Sequence, residues 1–332
     1  MKYAAVLGRN MAKQIIRIAT RQSALAMWQT EYVKGRLESA HPGLAVEIIG
    51  MTTRGDRIQD RPLVEVGGKG LFVKELESAL LNETADIAVH SMKDVPMDLL
   101  KEMEIPVMCE REDPRDAFVS NQFTRLEALP EGATVGTSSV RRKSQISAVR
   151  TDLQFMDLRG NVDTRLRKLD EGQYSAIILA VAGLRRLGRA DRITAALSVD
   201  MCIPSAGQGA VGIECRASDS TVKQLLAPLN HADTFTAVAC ERALSRRLQA
   251  SCEVPVAAYA QLLDGKLHVI GMVASLDGKR VLNANLRGKP GEAETLGVAL
   301  AEELLDLGAA DLLPDQRANR QANRQANRPA DP

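Results

Sequence analysis

The stretch Ile15-Ile16-Arg17-Ile18-Ala19-Thr20-Arg21-Gln22-Ser23 marks the junction of a strand with a helix. Its beginning is rich in isoleucine, which predicts a buried strand over residues 15–20. Ser23 is a residue type that caps helix N-termini, so a helix is expected to begin directly after it. We expect Leu25, Trp28, Tyr32 and Val33 to share the apolar face of that helix.

Outward from this junction, strands and helices alternate along the chain. A second strand is predicted over residues 46–52, followed by a polar, glycine-rich loop over residues 53–70. A third strand is predicted over residues 86–90, and this spacing favours parallel pairing in an α/β sheet. The helix between the loop and the third strand begins at Leu71 and is expected to turn inward Phe72, Leu76, Ala79 and Leu80.

A second α/β series begins near Asp116. A short strand over residues 211–215 lies far along the chain and is a candidate to return to the first sheet. Two α/β lobes joined by crossing segments would leave a cleft between them, which is the usual place for a ligand. In the second series we predict strands over 117–120, 134–137, 153–158 and 175–181, and helices over 139–149 and 162–170.

The pattern changes from Val256 onward, where three strands follow one another without intervening helices. They are separated by Asp264-Gly265 and Asp277-Gly278, both typical of hairpin turns. A helix over 292–307 follows, so a small α+β domain with a three-stranded antiparallel sheet is expected. The tail repeats Arg-Gln-Ala-Asn, a composition typical of disorder. The three strands are predicted over 256–263, 267–275 and 281–287.

The composition narrows the class of protein. The 332 residues include 43 basic and 42 acidic ones, a balance that argues against general attraction to nucleic acid or membrane. No apolar run is long enough to span a bilayer, and the N-terminus has too short an apolar core for a secretory signal. The five cysteines form no Cys-x-x-Cys pair and the four histidines are scattered, which favours free thiols, a cytoplasmic location and no metal site.

Cations nonetheless cluster beside small hydroxyl residues and glycines. Guanidinium and ammonium groups mixed with hydroxyls and exposed backbone N–H groups suit a ligand that carries many carboxylates or phosphates. With aromatic residues at only 3%, stacking platforms for bases are scarce, so a polyanionic small molecule is the predicted ligand. The clusters cover residues 17–23, 67–70, 91–94, 136–142, 158–165 and 183–186.

Arg141 and Arg142 fall in the first turn of a predicted helix that starts after Thr137-Ser138-Ser139. Cations at this end oppose the helix dipole at a cost of roughly 0.3–1 kcal/mol each. An anion held by the hydroxyls, the free N–H groups and both guanidinium groups would remove the conflict. Arg159 and Arg165 repeat the arrangement at the next strand–helix junction. The alternative interpretation is a solvated helix end with two surface arginines.

Two further positions can carry chemistry. Asp94 follows a predicted strand, where α/β proteins place ligands, and could stabilise a cationic intermediate and move protons while Lys93 pairs with an anionic group. Alternatively, Asp94 only caps a turn before Pro96 and pairs with Lys93. Cys252 lies in a loop of small residues and is expected to be the most exposed cysteine, although most cysteines are buried apolar residues.

Taken together, these segments resemble the porphobilinogen deaminase family, also called the hydroxymethylbilane synthases. The resemblance runs in one order from about residue 14 to 312 and leaves out the first dozen residues and the repetitive tail. So many long motifs in the same order make the resemblance specific. The matching stretches are 17–23, 67–75, 86–96, 109–120, 136–142, 158–169, 176–188, 204–216 and 252–255.

The resemblance implies a transferase of tetrapyrrole (haem) biosynthesis. It joins four porphobilinogen molecules head to tail, with loss of ammonia, onto a covalent dipyrromethane primer, and releases hydroxymethylbilane by hydrolysis. Each pyrrole brings an acetate and a propionate arm, which fits the many arginines. The primer is attached through a thioether to Cys252 and is built from the substrate, so no metal is expected. The family also implies a monomer whose partner is this small molecule, with no nucleic acid or membrane partner.

The resemblance also implies the fold and its domains. Two periplasmic-binding-protein-like α/β lobes would surround a cleft, with a small α+β domain at the C-terminal side. Domain 1 would cover residues 14–108 plus about 208–230 and carry the catalytic aspartate and the mobile loop 53–70. The remaining chain would divide into domain 2 over 113–205, domain 3 over 231–314, and extensions over 1–13 and 315–332.

Residue by residue, Asp94 corresponds to the catalytic carboxylate, which stabilises positive charge on pyrrole nitrogens as ammonia leaves and assists proton transfer. Cys252 corresponds to the attachment cysteine. The resemblance assigns primer binding to Ser23, Lys93, Asp94, Thr137, Ser138, Ser139, Arg141, Arg142, Arg159 and Gln208. It assigns substrate binding to Arg21, Ser23, Lys69, Phe72, Arg159, Arg165 and Arg186.

The sequence departs from the family pattern at two places. Glu65 stands where many relatives have a basic loop residue, and Ala250 and Ser251 replace a glycine pair before the cysteine. Two other functions compete with the enzyme. A non-catalytic two-lobed binding protein for a polycarboxylate would need the arginines but neither Asp94 nor a modified Cys252, and would normally be exported. An RNA-binding protein would use the same arginines, but the chain lacks a basic field and stacking aromatics.

Overall fold

The structure of the protein, a computed structural model, describes residues 15–57, 73–250 and 254–313. Strands in this part of the chain form three sheets. In chain order they are β1 (Ile15–Arg21), β2 (Ala45–Met51), β3 (Ile87–Ser91), β4 (Met103–Met108), β5 (Asp116–Val119), β6 (Thr134–Gly136), β7 (Gln154–Met156), β8 (Ala176–Ala180), β9 (Ala195–Ala196), β10 (Val211–Arg216), β11 (Val256–Leu263), β12 (Lys266–Ala274) and β13 (Val281–Gly288).

Helices connect and cover the strands. Several begin at a residue whose side chain accepts a backbone N–H of the first turn, including Ser23, Ser139 and Asn161. Ser23 was predicted to act in this way, and that prediction is confirmed. The helices are α1 (Ala24–Ala40), α2 (Arg54–Arg57), α3 (Lys74–Leu81), α4 (Val140–Val149), α5 (Val162–Asp170), α6 (Val181–Arg186), α7 (Ser220–Leu226), α8 (Ala232–Arg247) and α9 (Ala293–Asp306).

The first lobe contains a five-stranded sheet in the order β2-β1-β3-β10-β4. β1 pairs in parallel with β2 and β3, as the strand–helix spacing predicted, whereas β10 runs antiparallel to β3 and β4. The predicted return of residues 211–215 to this sheet is therefore confirmed. β4 was not predicted, because Glu104 and Pro106 interrupt its apolar run. Its place at the sheet edge is where a strand tolerates proline.

The second lobe repeats this arrangement with the order β7-β6-β8-β5-β9. β6 pairs in parallel with β7 and β8, and β5 is antiparallel to β8 and to the two-residue strand β9, which was not predicted. The chain enters this lobe between β4 and β5 and leaves it between β9 and β10. Two crossing segments, residues 109–115 and 197–210, therefore join two α/β lobes of the same topology.

The third sheet is antiparallel, in the order β11-β12-β13, as predicted. Asp264 and Gly265 both have positive φ angles, of 50° and 71°, which is the backbone of a type I′ hairpin turn. The second hairpin uses the longer connection 275–280, which contains the predicted Asp277-Gly278. Helices α8 and α9 pack on the sheet through residues that include Leu244, Leu300 and Leu304.

The predicted apolar face of α1 is only partly correct, because Val33 is buried as expected but Trp28 is not. Trp28 is 38% exposed and its ring stacks on Tyr32, with the ring centroids 5.6 Å apart, whereas the side of the helix that faces the sheet includes the polar residues Gln29 and Thr30. Polar groups can occupy that side because they find partners: Gln29 donates to Ser91 and Thr30 donates to Thr20. The buried residues are Ala26, Gln29, Thr30, Val33 and Leu37.

Apolar residues form a core beside each of the three sheets. Among the described residues, no helix has both the length and the apolar character of a membrane span.

Candidate active site

Asp94 lies in a single 3-10 turn, Met92–Asp94, that follows the end of β3. Its side chain is exposed, and the neighbouring Lys93 is half-buried. Burial lowers the pKa of the Lys93 ammonium to about 8, and the positive charges of Arg142 and Arg165 act in the same direction. Lys93 therefore lies in the first lobe but is close enough to two arginines of the second lobe for their charges to lower its pKa.

The hydroxyl residues of the second lobe sit where β6 leads into α4. Ser139 caps the helix by accepting from the backbone N–H of Arg142, with N and Oγ 3.4 Å apart. Thr137 accepts from the N–H of Ser139 at 3.2 Å, and Ser138 exchanges hydrogen bonds with the backbone of Leu158 at 3.0 and 3.1 Å. These contacts fix the turn that presents the first residues of α4.

Arg141 and Arg142 both contact an internal carboxylate, that of Asp116. Arg141 Nη2 lies 2.8 Å from one oxygen of Asp116, and Arg142 Nη2 and Nε lie 2.6 and 2.9 Å from the other. All three residues are buried, with exposures of 6% or less. The anion beside the two arginines is thus an internal carboxylate, which the sequence analysis did not identify. Because both arginines are buried, the alternative of two surface arginines is wrong.

Gln208 and Cys202 complete this group from the returning crossing segment. Gln208 donates from Nε2 to Asp116 at 2.9 Å and to the Pro114 carbonyl at 2.6 Å. The Cys202 sulfur lies 3.3 Å from Asp116. Burial alone would raise the pKa of the Asp116 carboxyl, but the two arginine guanidinium groups hold it well below its usual range.

Arg159 and Arg165 extend the positive charge toward the first lobe. Arg165 donates from Nε to the carbonyl of Gly160 at 2.8 Å. Burial, together with the charges of Arg142 and Arg159, lowers the pKa of its guanidinium to about 10, and the negative charge of Asp94 opposes this shift. The structure therefore brings together Lys93, Asp94, Arg141, Arg142, Arg159, Arg165 and Gln208.

Other predicted site residues have different partners. Arg21 pairs with Asp56 of α2, whose carboxylate also accepts from Thr53. Ser23 serves as the helix cap described above. Arg186 donates to the Gly209 carbonyl at 2.6 Å, and its guanidinium carbon lies 5.6 Å from the centre of the Trp28 ring. Lys69, Phe72 and Cys252 lie outside the described residues, as does Glu65.

Sequence reasoning did not single out Asp116. It is the first residue of a strand whose remaining members are Ala117, Phe118 and Val119, and all four are fully or almost fully buried. A carboxylate that opens a buried apolar strand needs a cationic partner, because an isolated buried charge is very costly. A carboxylate at the start of an apolar strand is therefore the sequence signal for a buried ion pair. Its partners are the two successive arginines of α4.

The site as a whole carries more positive than negative charge, since Lys93 and four arginines lie around only two carboxylates, those of Asp94 and Asp116. Carboxylates of a bound molecule would relieve this, so the fold and site define a two-lobed α/β protein for an acidic small molecule. A family model described as the porphobilinogen deaminase dipyromethane cofactor binding domain matches residues 16–224, and another described as the porphobilinogen deaminase C-terminal domain matches residues 235–306. The chain belongs to the porphobilinogen deaminase family.

Membership of this family makes the protein a transferase of tetrapyrrole biosynthesis that acts on porphobilinogen and carries a dipyrromethane cofactor. The two predictions of function and cofactor are confirmed.

Several solved structures resemble this chain at low sequence identity. A nutrient binding protein from Burkholderia cenocepacia bound to methionine matches at 14% identity and a TM-score of 0.40, covering 64% of this chain and 90% of that one. A periplasmic substrate-binding protein of an ABC transporter from Coxiella burnetii matches at 15% identity and a TM-score of 0.40, covering 64% and 91%. The periplasmic aliphatic sulphonate binding protein SsuA from Escherichia coli matches at 14% and 0.39, covering 71% of each chain.

Proposed function

We propose that Asp94 is the catalytic carboxylate with which this chain joins porphobilinogen units. The observation that carries the proposal is the position of Asp94, exposed at the cleft and within electrostatic reach of Lys93 and Arg165. A carboxylate placed there stabilises positive charge on a pyrrole nitrogen while ammonia leaves. It can also take up and return a proton when two rings are joined.

The arginines hold the carboxylate arms. Arg141, Arg142, Arg159 and Lys93, with Gln208 and the hydroxyls of residues 137–139, would bind the dipyrromethane. The unneutralised charge on Lys93 and Arg165 fits a group that brings two carboxylates per ring. When bound, dipyrromethane supplies the pyrrole to which the first substrate is coupled. Substrate arms would be held by Arg21, Ser23, Lys69, Phe72, Arg159, Arg165 and Arg186.

Cys252 is the proposed attachment residue. The other four cysteines support this assignment because they lack a reactive, accessible thiol. Each of those thiols is buried, and burial raises their pKa values to about 11 or 12. Because the thiolate is the nucleophile, such thiols are poor at forming a thioether. These four are Cys109, Cys202, Cys215 and Cys240.

We further propose that the chain acts as a cytoplasmic monomer with no nucleic acid partner. Its domains would divide as the sequence predicts, at about residues 109, 206 and 231. The near-equal numbers of basic and acidic residues, 43 and 42, support the absence of a nucleic acid partner, because they give no strong field for a polyanion.

The attachment is tested by the intact mass of the purified protein and of Cys252→Ser. We expect the first to exceed its sequence mass by two linked pyrrole units and the second to match its sequence mass. Cys215→Ala, which removes a buried thiol, is the matched control and should keep the excess. If no variant carries the excess even after incubation with porphobilinogen, the proposed attachment is wrong.

The role of Asp94 is tested by Asp94→Asn, with Asp98→Asn as the control. Asp98 lies four residues further on, is strongly exposed and pairs with Arg246, outside the cleft. We expect Asp94→Asn to lower kcat by about 10²–10⁴-fold while the primer mass remains, and Asp98→Asn to behave as the parent protein. A binding protein without turnover would show no activity in any of these forms.

A further inference from the structure

Asp116 has the most complete set of contacts of any carboxylate described above, and the proposed chemistry does not use it. It is 0% exposed and accepts from Arg141, Arg142 and Gln208, with Cys202 beside it. Its two oxygens are divided between the two arginines, one oxygen for each guanidinium. The contact with Asp116 thereby holds one side of each planar guanidinium group in place.

The remaining donors of the two arginines are also partly fixed. Arg141 Nη1 donates to the carbonyl of Ile203 at 2.6 Å, and Arg142 Nη1 donates to that of Ile178 at 2.9 Å. A guanidinium carries five N–H groups, so these bonds leave further donors on each arginine. The side chains are therefore held in place by contacts within the protein while donors remain for an anion from outside.

The position of Asp116 also matters for the charge of the cleft. Its negative charge favours the charged form of Lys93, whereas the positive charge of Arg142 disfavours it. Without Asp116, Arg141 and Arg142 would face each other across a buried space with no carboxylate between them. Such a pair would repel, and side chains as long as arginine would leave the positions that the turn 137–139 prepares.

We propose that Asp116 is a positioning residue: a built-in carboxylate at the closed end of the site that sets Arg141 and Arg142 in place for the carboxylates of the dipyrromethane. The inference rests on the proposed role of the two arginines in binding that group. It predicts that primer loading needs a negative charge at this point, and that the charge need not be attached to the chain.

The test uses Asp116→Asn and Asp116→Ala, with the fraction of protein that carries the primer measured by intact mass after incubation with porphobilinogen. Asn keeps the size of the side chain and removes the charge. We expect its loaded fraction to fall about tenfold or more while its far-UV circular dichroism matches the parent. The control is Asp152→Asn in the same lobe, which removes the carboxylate paired with Arg150 away from the cleft and should load normally.

Rescue by a small carboxylate separates positioning from mere support of the fold. Asp116→Ala leaves space where the carboxylate was, and formate can enter that space. We expect sodium formate to raise primer loading of Asp116→Ala several-fold, and sodium chloride at the same ionic strength to do so much less. Formate should have no effect on Asp116→Asn, where the amide fills the space.

Two results would overturn the inference. One is a folded Asp116→Asn that loads primer as well as the parent protein. The other is an Asp116→Ala that responds equally to formate and chloride. Failure of the proposed function itself would look different, because the parent protein and Asp152→Asn would then also lack the primer mass.

Discussion

The two lobes share one strand order, and in each of them an antiparallel strand follows a crossing segment: β5 in the second lobe and β10 in the first. Each of these strands carries a buried carboxylate, but the partners of the two carboxylates differ. In the second lobe, Asp116 on β5 is matched by two arginines and a glutamine. In the first lobe, Glu214 on β10 has one partner for one oxygen, His90 at 2.8 Å. Its other oxygen is buried and has no hydrogen-bond partner among the described residues.

The two lobes therefore differ in how their buried carboxyl groups respond to pH: the pKa of Asp116 is lowered, whereas that of Glu77, beside Glu214, is raised. Arg141 and Arg142 hold the pKa of the Asp116 carboxyl well below its usual range, so this carboxylate stays charged at physiological pH. Glu214 lies near Glu77 of α3, and burial together with the charge of Glu214 raises the pKa of the Glu77 carboxyl. One member of this second group, His90, lies on β3 two residues before the turn that carries Asp94.

The largest expected effect comes from making the same change, carboxylate to amide, in both lobes. Asp116→Asn should lower the free energy of unfolding by about 3–5 kcal/mol, because it leaves two buried arginines without their counter-charge. Glu214→Gln should change it by about 1 kcal/mol or less, since the amide keeps a contact with His90 and ends the repulsion with Glu77. Urea unfolding at pH 7 measures both, and equal losses would remove the distinction between the lobes.

The next effect concerns Lys93, whose ammonium in the first lobe faces the arginines of the second. With its pKa lowered to about 8, the side chain loses its charge as the pH rises above that value. Because Lys93 belongs to the proposed primer-binding residues, the affinity of Cys252→Ser, which lacks the attachment thiol, for free dipyrromethane should fall by about tenfold at most between pH 8 and 9. In the same background, Lys93→Arg should abolish this fall and Lys143→Arg, an exposed lysine of α4, should keep it. A parallel decline in both would point to another group.

A smaller effect is the opposite pH dependence of the two buried carboxyl groups. The folded pKa of Asp116 is lowered, so its stabilisation is present above 3.8, its unfolded value, and is lost as the pH falls toward the folded one. The folded pKa of Glu77 is raised, so its contribution is present below 4.5 and is lost as the pH rises through the folded value. Glu77→Gln should remove the second dependence in unfolding curves between pH 4 and 8 and leave the first.

The sequence predicted the alternation of strands and helices well, because the evidence is local. The isoleucines of β1, the cap at Ser23 and the Asp264-Gly265 turn each depend on neighbours in the chain. The errors have a common physical origin. Trp28 was placed inward because it is apolar, but Gln29 and Thr30 occupy the buried side with partners that only the folded structure brings near.

The same reasoning explains what was missed at the site. Arg141 and Arg142 were selected because their position conflicts with the helix dipole, a local rule. The carboxylate that resolves the conflict lies on strand β5, 26 residues away from Arg142, and nothing local to the arginines reveals it. Long-range pairing of buried charges is therefore what the sequence alone left out.

The smallest expected effect lies at the contact between the lobes, where Arg186 of α6 covers the ring of Trp28 on α1. Trp28→Leu should lower the free energy of unfolding by about 0.5–1 kcal/mol, because the cation–π contact at a partly exposed ring is modest. Trp28 is the only tryptophan of the chain, so the tryptophan fluorescence reports on the surroundings of this one ring, which include Arg186 and Tyr32. If Arg186 turns to a substrate carboxylate, porphobilinogen should change that fluorescence in the parent protein and not in Arg186→Leu. An unchanged spectrum on binding would mean that Arg186 keeps its place between the lobes and leaves the substrate to the other arginines.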